Sequence, residues 1–320
     1  MLDILQVTFP FFALVLCGYI AARRRLLPLD AIGGLNGFVL YFALPAMLYR
    51  FGADTDVARL FDPSVLAVWL PCAMVMVAVT VRWSLGPRIG WNDAAFGALV
   101  AAFPNTGFMG VPLVIALLGT VAAGPTIATI LIDMVITTSV CIALSRLDGA
   151  GQHGAAEAAK KALKGVAVNP LPWAILLGGL SSALDVRPVK PLMDTITLLA
   201  NAASPVALFT IGAVLARSQM VAAQGAGPVA ARDFVPVAVA KLVVHPLLVL
   251  AVGSAAVALG LPLEPFTLTV LVLVAALPSA SNVALLAERF GADTGRVARI
   301  ILLTTAAAFF TFSAAVALAR

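Results

Sequence analysis

Apolar residues run along this chain in stretches of about 18 or more, enough for a helix to cross the roughly 30 Å hydrocarbon core of a bilayer. Short clusters of glycine, proline and charge separate them. The pattern predicts ten spans, at roughly 4–22, 34–50, 64–82, 93–118, 125–146, 170–184, 191–216, 234–259, 265–288 and 297–319. The sixth is short and carries Pro170, Pro172 and the Gly178-Gly179 pair. The longest polar break holds Ala, Gly and Lys, which suggests a linker with a short surface helix. The predicted division is therefore a five-helix repeat over 1–147, a cytoplasmic linker over 148–169 and a second five-helix repeat over 170–320.

The two halves look related. Pro10, Pro45, Pro71 and Pro104 are separated by 35, 26 and 33 residues, and Pro172, Pro205, Pro246 and Pro278 by 33, 41 and 32. The excess falls where the second half has a longer predicted loop, 217–233. Local context agrees, since 101-AAFPNTG-107 lies opposite 275-AALPSAS-281. An odd number of spans per half inverts the second half in the bilayer, a recurrent plan for secondary transporters. The expected fold is an all-α polytopic membrane protein: ten transmembrane helices as two inverted five-helix repeats.

Composition supports the membrane reading. The 320 residues are 62% hydrophobic and 11% charged, too little charge for a soluble surface of this size. A net charge of +5 would fit a nucleic-acid partner if it formed a basic face with interleaved aromatics, and it does not. Most Lys and Arg residues lie in short loops. With the N-terminus outside, fourteen fall on the cytoplasmic side, Arg296 among them, and five on the outer side. That bias predicts both termini on the outer side of the membrane. The first stretch lacks a basic n-region and is expected to be a retained span rather than a signal peptide. Cys17, Cys72 and Cys141 lack metal-ligand spacing and are expected to be small core residues.

Spans four and nine carry the strongest local signal. Pro104-Asn105-Thr106-Gly107 and Pro278-Ser279-Ala280-Ser281-Asn282 place helix breakers at mid-span. A proline there deletes a backbone hydrogen bond, and in lipid the freed groups are costly unless something satisfies them. Two such breaks facing one another would line a polar cavity. Each would expose a half-helix N-terminus, whose amides and partial positive charge suit a carboxylate. Pro45, Pro71, Pro205 and Pro246 lack such neighbours and are expected to be kinks, while Gly107 and Gly110 are also suited to close helix packing.

Asn105-Thr106-Gly107-Phe108-Met109-Gly110-Val111-Pro112-Leu113 resembles the N-x-G-F-hydrophobic-G-x-P-L signature of the auxin efflux carrier family. That family includes malonate-type carriers and plant auxin exporters. The resemblance implies that spans four and nine unwind and cross at mid-membrane, and that spans 1, 2, 6 and 7 form a dimerising scaffold. It also implies an elevator-like movement of the remaining spans. Pro104 and Pro278 would then mark the crossing, and Asn105 would face a substrate carboxylate. Plant members carry ionisable residues on the third span, whereas 64–81 here has none.

Asp133, Lys241 and His245 also lie within spans. Asp133 is suited to carry a proton, to bind a cation or to pair with a buried base, and Thr hydroxyls nearby offer a purely structural alternative. Lys241 and His245 share one helix face, where Lys241 either snorkels to the interface or supplies positive charge to a cavity. His245 precedes Pro246 and is placed to bond a carbonyl freed by the kink. The expected function is secondary transport of a small carboxylate without a bound cofactor, with proton or sodium coupling open. A sodium-coupled organic-anion symporter is the alternative, with Asn105, Ser279, Ser281 and Asn282 as oxygen ligands. Expected partners are the substrate, membrane lipid and a second copy of the chain, with no nucleic acid. An intramembrane aspartyl protease needs two deep carboxylates, and only Asp133 lies deep; no phosphate-binding loop or hydrolase nucleophile motif is present.

Overall fold

A computed structural model describes residues 2–54, 62–147, 170–225 and 230–319. The 148–169 linker and its expected surface helix lie outside the described residues. The described chain is helical, with isolated bridges and no longer strand pairing among those residues. In order come α1 (Leu2–Arg23), α2 (Ala31–Asp54), α3 (Pro63–Ser84), α4 (Trp91–Ala102), α5 (Thr106–Leu118) and α6 (Thr120–Leu144). They are followed by α7 (Pro170–Ala183), α8 (Lys190–Gly225), α9 (Ala231–Ala258), α10 (Pro265–Ala275), α11 (Val283–Arg289) and α12 (Thr294–Ala319). Six of these are long and apolar enough to cross a membrane: α2, α3, α6, α8, α9 and α12. Their outward faces carry large apolar side chains such as Leu66, Leu198, Leu247 and Phe310, a surface that belongs in lipid rather than water.

Helix ends follow local chemistry. Asp62 caps α3 by accepting from the Ser64 amide at 2.8 Å, with Pro63 in the first helical position. Gly119 and Gly260, at φ 87° and 94°, end α5 and α9 in the left-handed region. Wide π-turns interrupt α2 at Val39–Ala43, α6 at Asp133–Thr137 and α9 at Ala240–Val244. Those in α2 and α9 end just before Pro45 and Pro246 and so absorb the carbonyl clash a proline creates. Pro71 and Pro205 sit inside continuous helix.

α1 packs on α8 and α2 on α7, and glycine sets both contacts. A Cβ on Gly18 would lie 1.8 Å from the Phe209 carbonyl oxygen, and one on Gly212 would lie 1.8 Å from that of Val15. Gly52 and Gly178 play the same part between α2 and α7. Backbones that approach this closely admit no side chain, and dispersion holds them together.

Three expectations need correction. Helix α8 runs to Gly225, into the stretch expected to be loop from 217, because Ala and Gln favour helix there and the next proline is Pro228. Cys17 is exposed on α1, since the face of that helix turned to α8 is taken by Gly18. Arg296, assigned to a cytoplasmic loop, is 2% exposed inside the first turn of α12. It donates to the carbonyls of Asp233 and Asp93 at 2.7 and 2.8 Å and to Ser84 Oγ at 3.0 Å. It therefore ties the ends of α3, α4 and α9 to α12.

Candidate functional site

Helix α4 stops at Phe103, whose backbone is extended, and α5 begins only at Thr106. Helix α10 stops at Ala275, and α11 begins at Val283. Between these ends Pro104 and Ser279 form an antiparallel bridge. The Asn105 amide donates to the Pro278 carbonyl at 2.7 Å, and the Ala280 amide donates to the Phe103 carbonyl at 3.0 Å. A third amide, on Ser279, donates to Thr304 Oγ1 of α12 at 3.2 Å. The two broken helices thus meet and satisfy much of the backbone that each proline freed.

This changes the picture of two bare half-helix ends. Three amides expected to be open are used by the crossing itself, because an unpaired buried N–H is too costly to leave idle. Gly107 and Phe108, as first amides of α5, still lack an intrahelical acceptor. Gly110 is where the crossing is tightest, since a Cβ there would lie 2.5 Å from Leu277 Cδ1. Gly107 faces open space instead, so packing does not explain it.

The side chains of the crossing are buried and under-bonded. Asn105 Oδ1, Ser279 Oγ and Asn282 Oδ1 are buried without a hydrogen-bond partner. Thr106 Oγ1 turns back to the Pro104 carbonyl at 3.4 Å, and Ser281 is half-buried. Ser281 and Phe108 border a small pocket of about 10 Å³ that Asn36 of α2 and Thr210 of α8 also line. That is room for about one water, less than a carboxylate needs. The larger cavity, about 280 Å³, lies at the ends of α3, α9 and α12 beside Arg88, Arg232, Asp233 and Arg296.

Asp133, Lys241 and His245 gather in a second cluster and are all 0% exposed. Lys241 does not snorkel. Its ammonium donates to the Ala275 carbonyl at 2.6 Å and lies 3.1 Å from His245 Nδ1. It thereby caps the C-terminal end of α10 at the break, where a positive charge offsets the helix dipole. An ammonium has no lone pair, so His245 Nδ1 accepts and the ring proton sits on Nε2. His245 therefore holds Lys241 rather than a carbonyl freed by Pro246. Thr137 donates to Asp133 Oδ1 at 2.9 Å, while Oδ2 has no partner. Lys241 acts on Asp133 through charge, without a contact ion pair between them among the described residues.

Residues 3–316 match the membrane transport protein family. The chain belongs to this family, the auxin efflux carriers among it. It is 30% identical over 308 residues to the "Putative malonate transporter" of Rhizobium meliloti (strain 1021), covering 95% of this chain and 92% of that one. It is 28% identical over 289 residues to the "Uncharacterized transporter YfdV" of Escherichia coli (strain K12), covering 89% of this chain and 88% of that one. "Auxin efflux carrier component 8" of Arabidopsis thaliana is 23% identical over 155 residues, 46% of this chain and 42% of that one. An integral membrane transport protein accounts for both the family and the apolar helices, and points to transport rather than catalysis.

For a membrane transport protein, four residues now join the candidates that the sequence suggested. Asn36, a lone amide in the glycine-rich start of α2, and Thr210 were not among the residues the sequence singled out. Trp69 looked like one more apolar residue, yet its indole N–H lies beside the Asp133 carboxylate, off hydrogen-bonding geometry. Thr304 carried no signal, because its role is to bond an amide on another helix.

Proposed function

We propose that this protein is a secondary transporter of a small organic anion, held at the crossing of the two broken helices. The observation that carries the reading is the Pro104–Ser279 bridge with buried, unpartnered polar atoms of Asn105, Ser279 and Asn282 beside it. A chain keeps such groups unsatisfied inside a membrane where an incoming ligand satisfies them. The Asn105 side-chain NH2, the Ser279 hydroxyl and the first amides of α5 supply donors for a carboxylate, with Thr106, Gly107 and Ser281 shaping the approach. In this reading, ten spans form two inverted five-helix repeats, 1–147 and 170–320. The crossing bundle moves as an elevator against the panel of α1, α2, α7 and α8, through which two copies join. The glycine-set contacts within that panel support a rigid scaffold. The membrane is the bacterial inner membrane with both termini outside, and malonate is the first substrate to test because one relative is named for it.

Thermal unfolding of the purified protein with a panel of organic acids tests the assignment, since a ligand of the folded state raises its stability. Malonate or a similar carboxylate is expected to raise the midpoint in wild type. Asn105→Ala is expected to abolish that rise while leaving the unliganded midpoint nearly unchanged. An equal rise in both proteins removes Asn105 from the site. A second reading rests on the same orphan atoms being oxygens, the ligands a sodium ion takes. Uptake into liposomes with and without a sodium gradient separates the two.

A further inference from the structure

Three buried polar atoms on three helices have no hydrogen-bond partner: Trp69 Nε1 on α3, Asp133 Oδ2 on α6 and His245 Nε2 on α9. The Trp69 and His245 ring centroids lie 5.4 Å apart, and the Trp69 indole N–H lies beside the Asp133 carboxylate. Their chemistry is complementary. Trp69 only donates, and His245, with Nδ1 committed to Lys241, also presents an N–H. Asp133 Oδ2 is the acceptor. A single water can accept from the first two and donate to the third, which is how buried polar groups are usually reconciled. A metal cation does not suit a cluster that presents two N–H groups.

The other ionisable groups near Asp133 are few. Cys141 lies about two turns further along α6 as a neutral thiol, and Lys241 acts on Asp133 through charge from α9. On α3, the Cys72 thiol turns to the Leu248 carbonyl at 3.9 Å. Helices α5 and α10 carry no ionisable side chain, and Asp93 of α4 accepts from the Asp293 amide at the far end of its helix.

We propose that this cluster is the carrier's proton-coupling site, with Asp133 loading and unloading the proton through a water held by Trp69 and His245, and Lys241 relaying its charge to the broken helix α10. The step is a simple protonation. A proton from water on one side bonds to Asp133 Oδ2 and later returns from that oxygen to water on the other side. Lys241 has two claimants, the Ala275 carbonyl it now holds and the Asp133 carboxylate. A neutral Asp133 leaves the ammonium capping α10, whereas an ionised Asp133 competes for it and loosens the end of the break. The inference rests on the transporter reading above, because it needs the crossing to move.

The test uses full-length protein in liposomes with malonate as probe. A transmembrane pH gradient is expected to drive net malonate flux in wild type. Asp133→Asn is expected to reduce that flux by on the order of tenfold more than it reduces malonate–malonate counterflow. Trp69→Phe, which keeps the ring and removes only the N–H, is expected to shift the pH of half-maximal flux. Equal losses of flux and counterflow in Asp133→Asn, with an unshifted profile in Trp69→Phe, overturn the proposal. Infrared difference spectra on acidification give a readout that needs no substrate: a protonated-carboxyl band in wild type that is missing from Asp133→Asn. If malonate fails to bind wild type, the substrate assignment has failed, and the band alone decides the proton site. Absence of an Asp133-dependent band overturns it.

Discussion

The panel of α1, α2, α7 and α8 and the bundle built around the crossing solve one problem in opposite ways. Both must pack helices where water is absent and every polar group needs a partner. The panel does so by bringing backbones together at Gly18, Gly212, Gly52 and Gly178, and the threonine hydroxyls of α8 bond their own helix, as Thr197 does with the Met193 carbonyl. The bundle opens two helices instead, and leaves Asn105, Ser279, Asn282, Asp133, Trp69 and His245 with unsatisfied atoms. Close packing suits a part that keeps its shape. Unfilled hydrogen-bonding capacity suits a part that binds something and changes state.

The largest effect is expected where that contrast is sharpest. A side chain at Gly212 meets the Val15 carbonyl oxygen at 1.8 Å, and backbone cannot step aside. Gly212→Leu should therefore force α1 and α8 apart, destabilising the protein by about 3 kcal/mol or more, with loss of folded material on purification. Gly110→Ala in the bundle meets side-chain atoms rather than backbone, Leu277 Cδ1 at 2.5 Å and Thr106 Cγ2 at 3.2 Å. It should cost about 1–2 kcal/mol by thermal unfolding while slowing transport far more. If both substitutions cost the same stability, the distinction between a rigid panel and a yielding crossing is wrong.

Lys241 tests whether the bundle's polar groups act together. Lys241→Met uncaps α10 at Ala275 and leaves Asp133 without its nearby cation, so a loss of about 3 kcal/mol is expected. Combined with Asp133→Asn, the loss should be smaller than the sum by roughly 1 kcal/mol or more, since each change removes part of the other's cost. A strictly additive pair would mean that the two side chains do not sense each other.

Much of this was readable from the residues. The six long apolar helices, the two breaks and the burial of Asp133, Lys241 and His245 follow from apolar run length and from where Pro104 and Pro278 interrupt it. What the breaks do with their freed amides was not readable. Asn105 and Ala280 bond across to Pro278 and Phe103, partners far away in sequence, and no local pattern announces such a pairing. Lys241 illustrates the same limit. Its distance from the helix end suggested snorkelling, but the Ala275 carbonyl that holds it belongs to another helix. Trp69 was hidden by its own composition, because an indole reads as apolar until its N–H is found unpaired beside a carboxylate. Helix α8 ran past its predicted end because helix propensity, not hydropathy, decides where a helix stops outside the membrane.

The smallest effect separates the two regions at the level of one hydroxyl. Thr304 Oγ1 accepts from the Ser279 amide at 3.2 Å while donating to the Ile301 carbonyl of its own helix at 3.0 Å. Thr304→Val keeps the shape and removes the acceptor, leaving a buried N–H at the crossing without a partner, at a cost of about 1–3 kcal/mol. Thr197 of α8 bonds only within its helix, so Thr197→Val should change stability by no more than about 0.5 kcal/mol. Thermal unfolding of the two variants under one condition makes the comparison. Because valine is nearly isosteric with threonine, neither protein should lose packing, and the difference isolates the cross-helix bond. A near-neutral Thr304→Val would mean that the Ser279 amide finds another acceptor, and that α12 does not help to hold the break open.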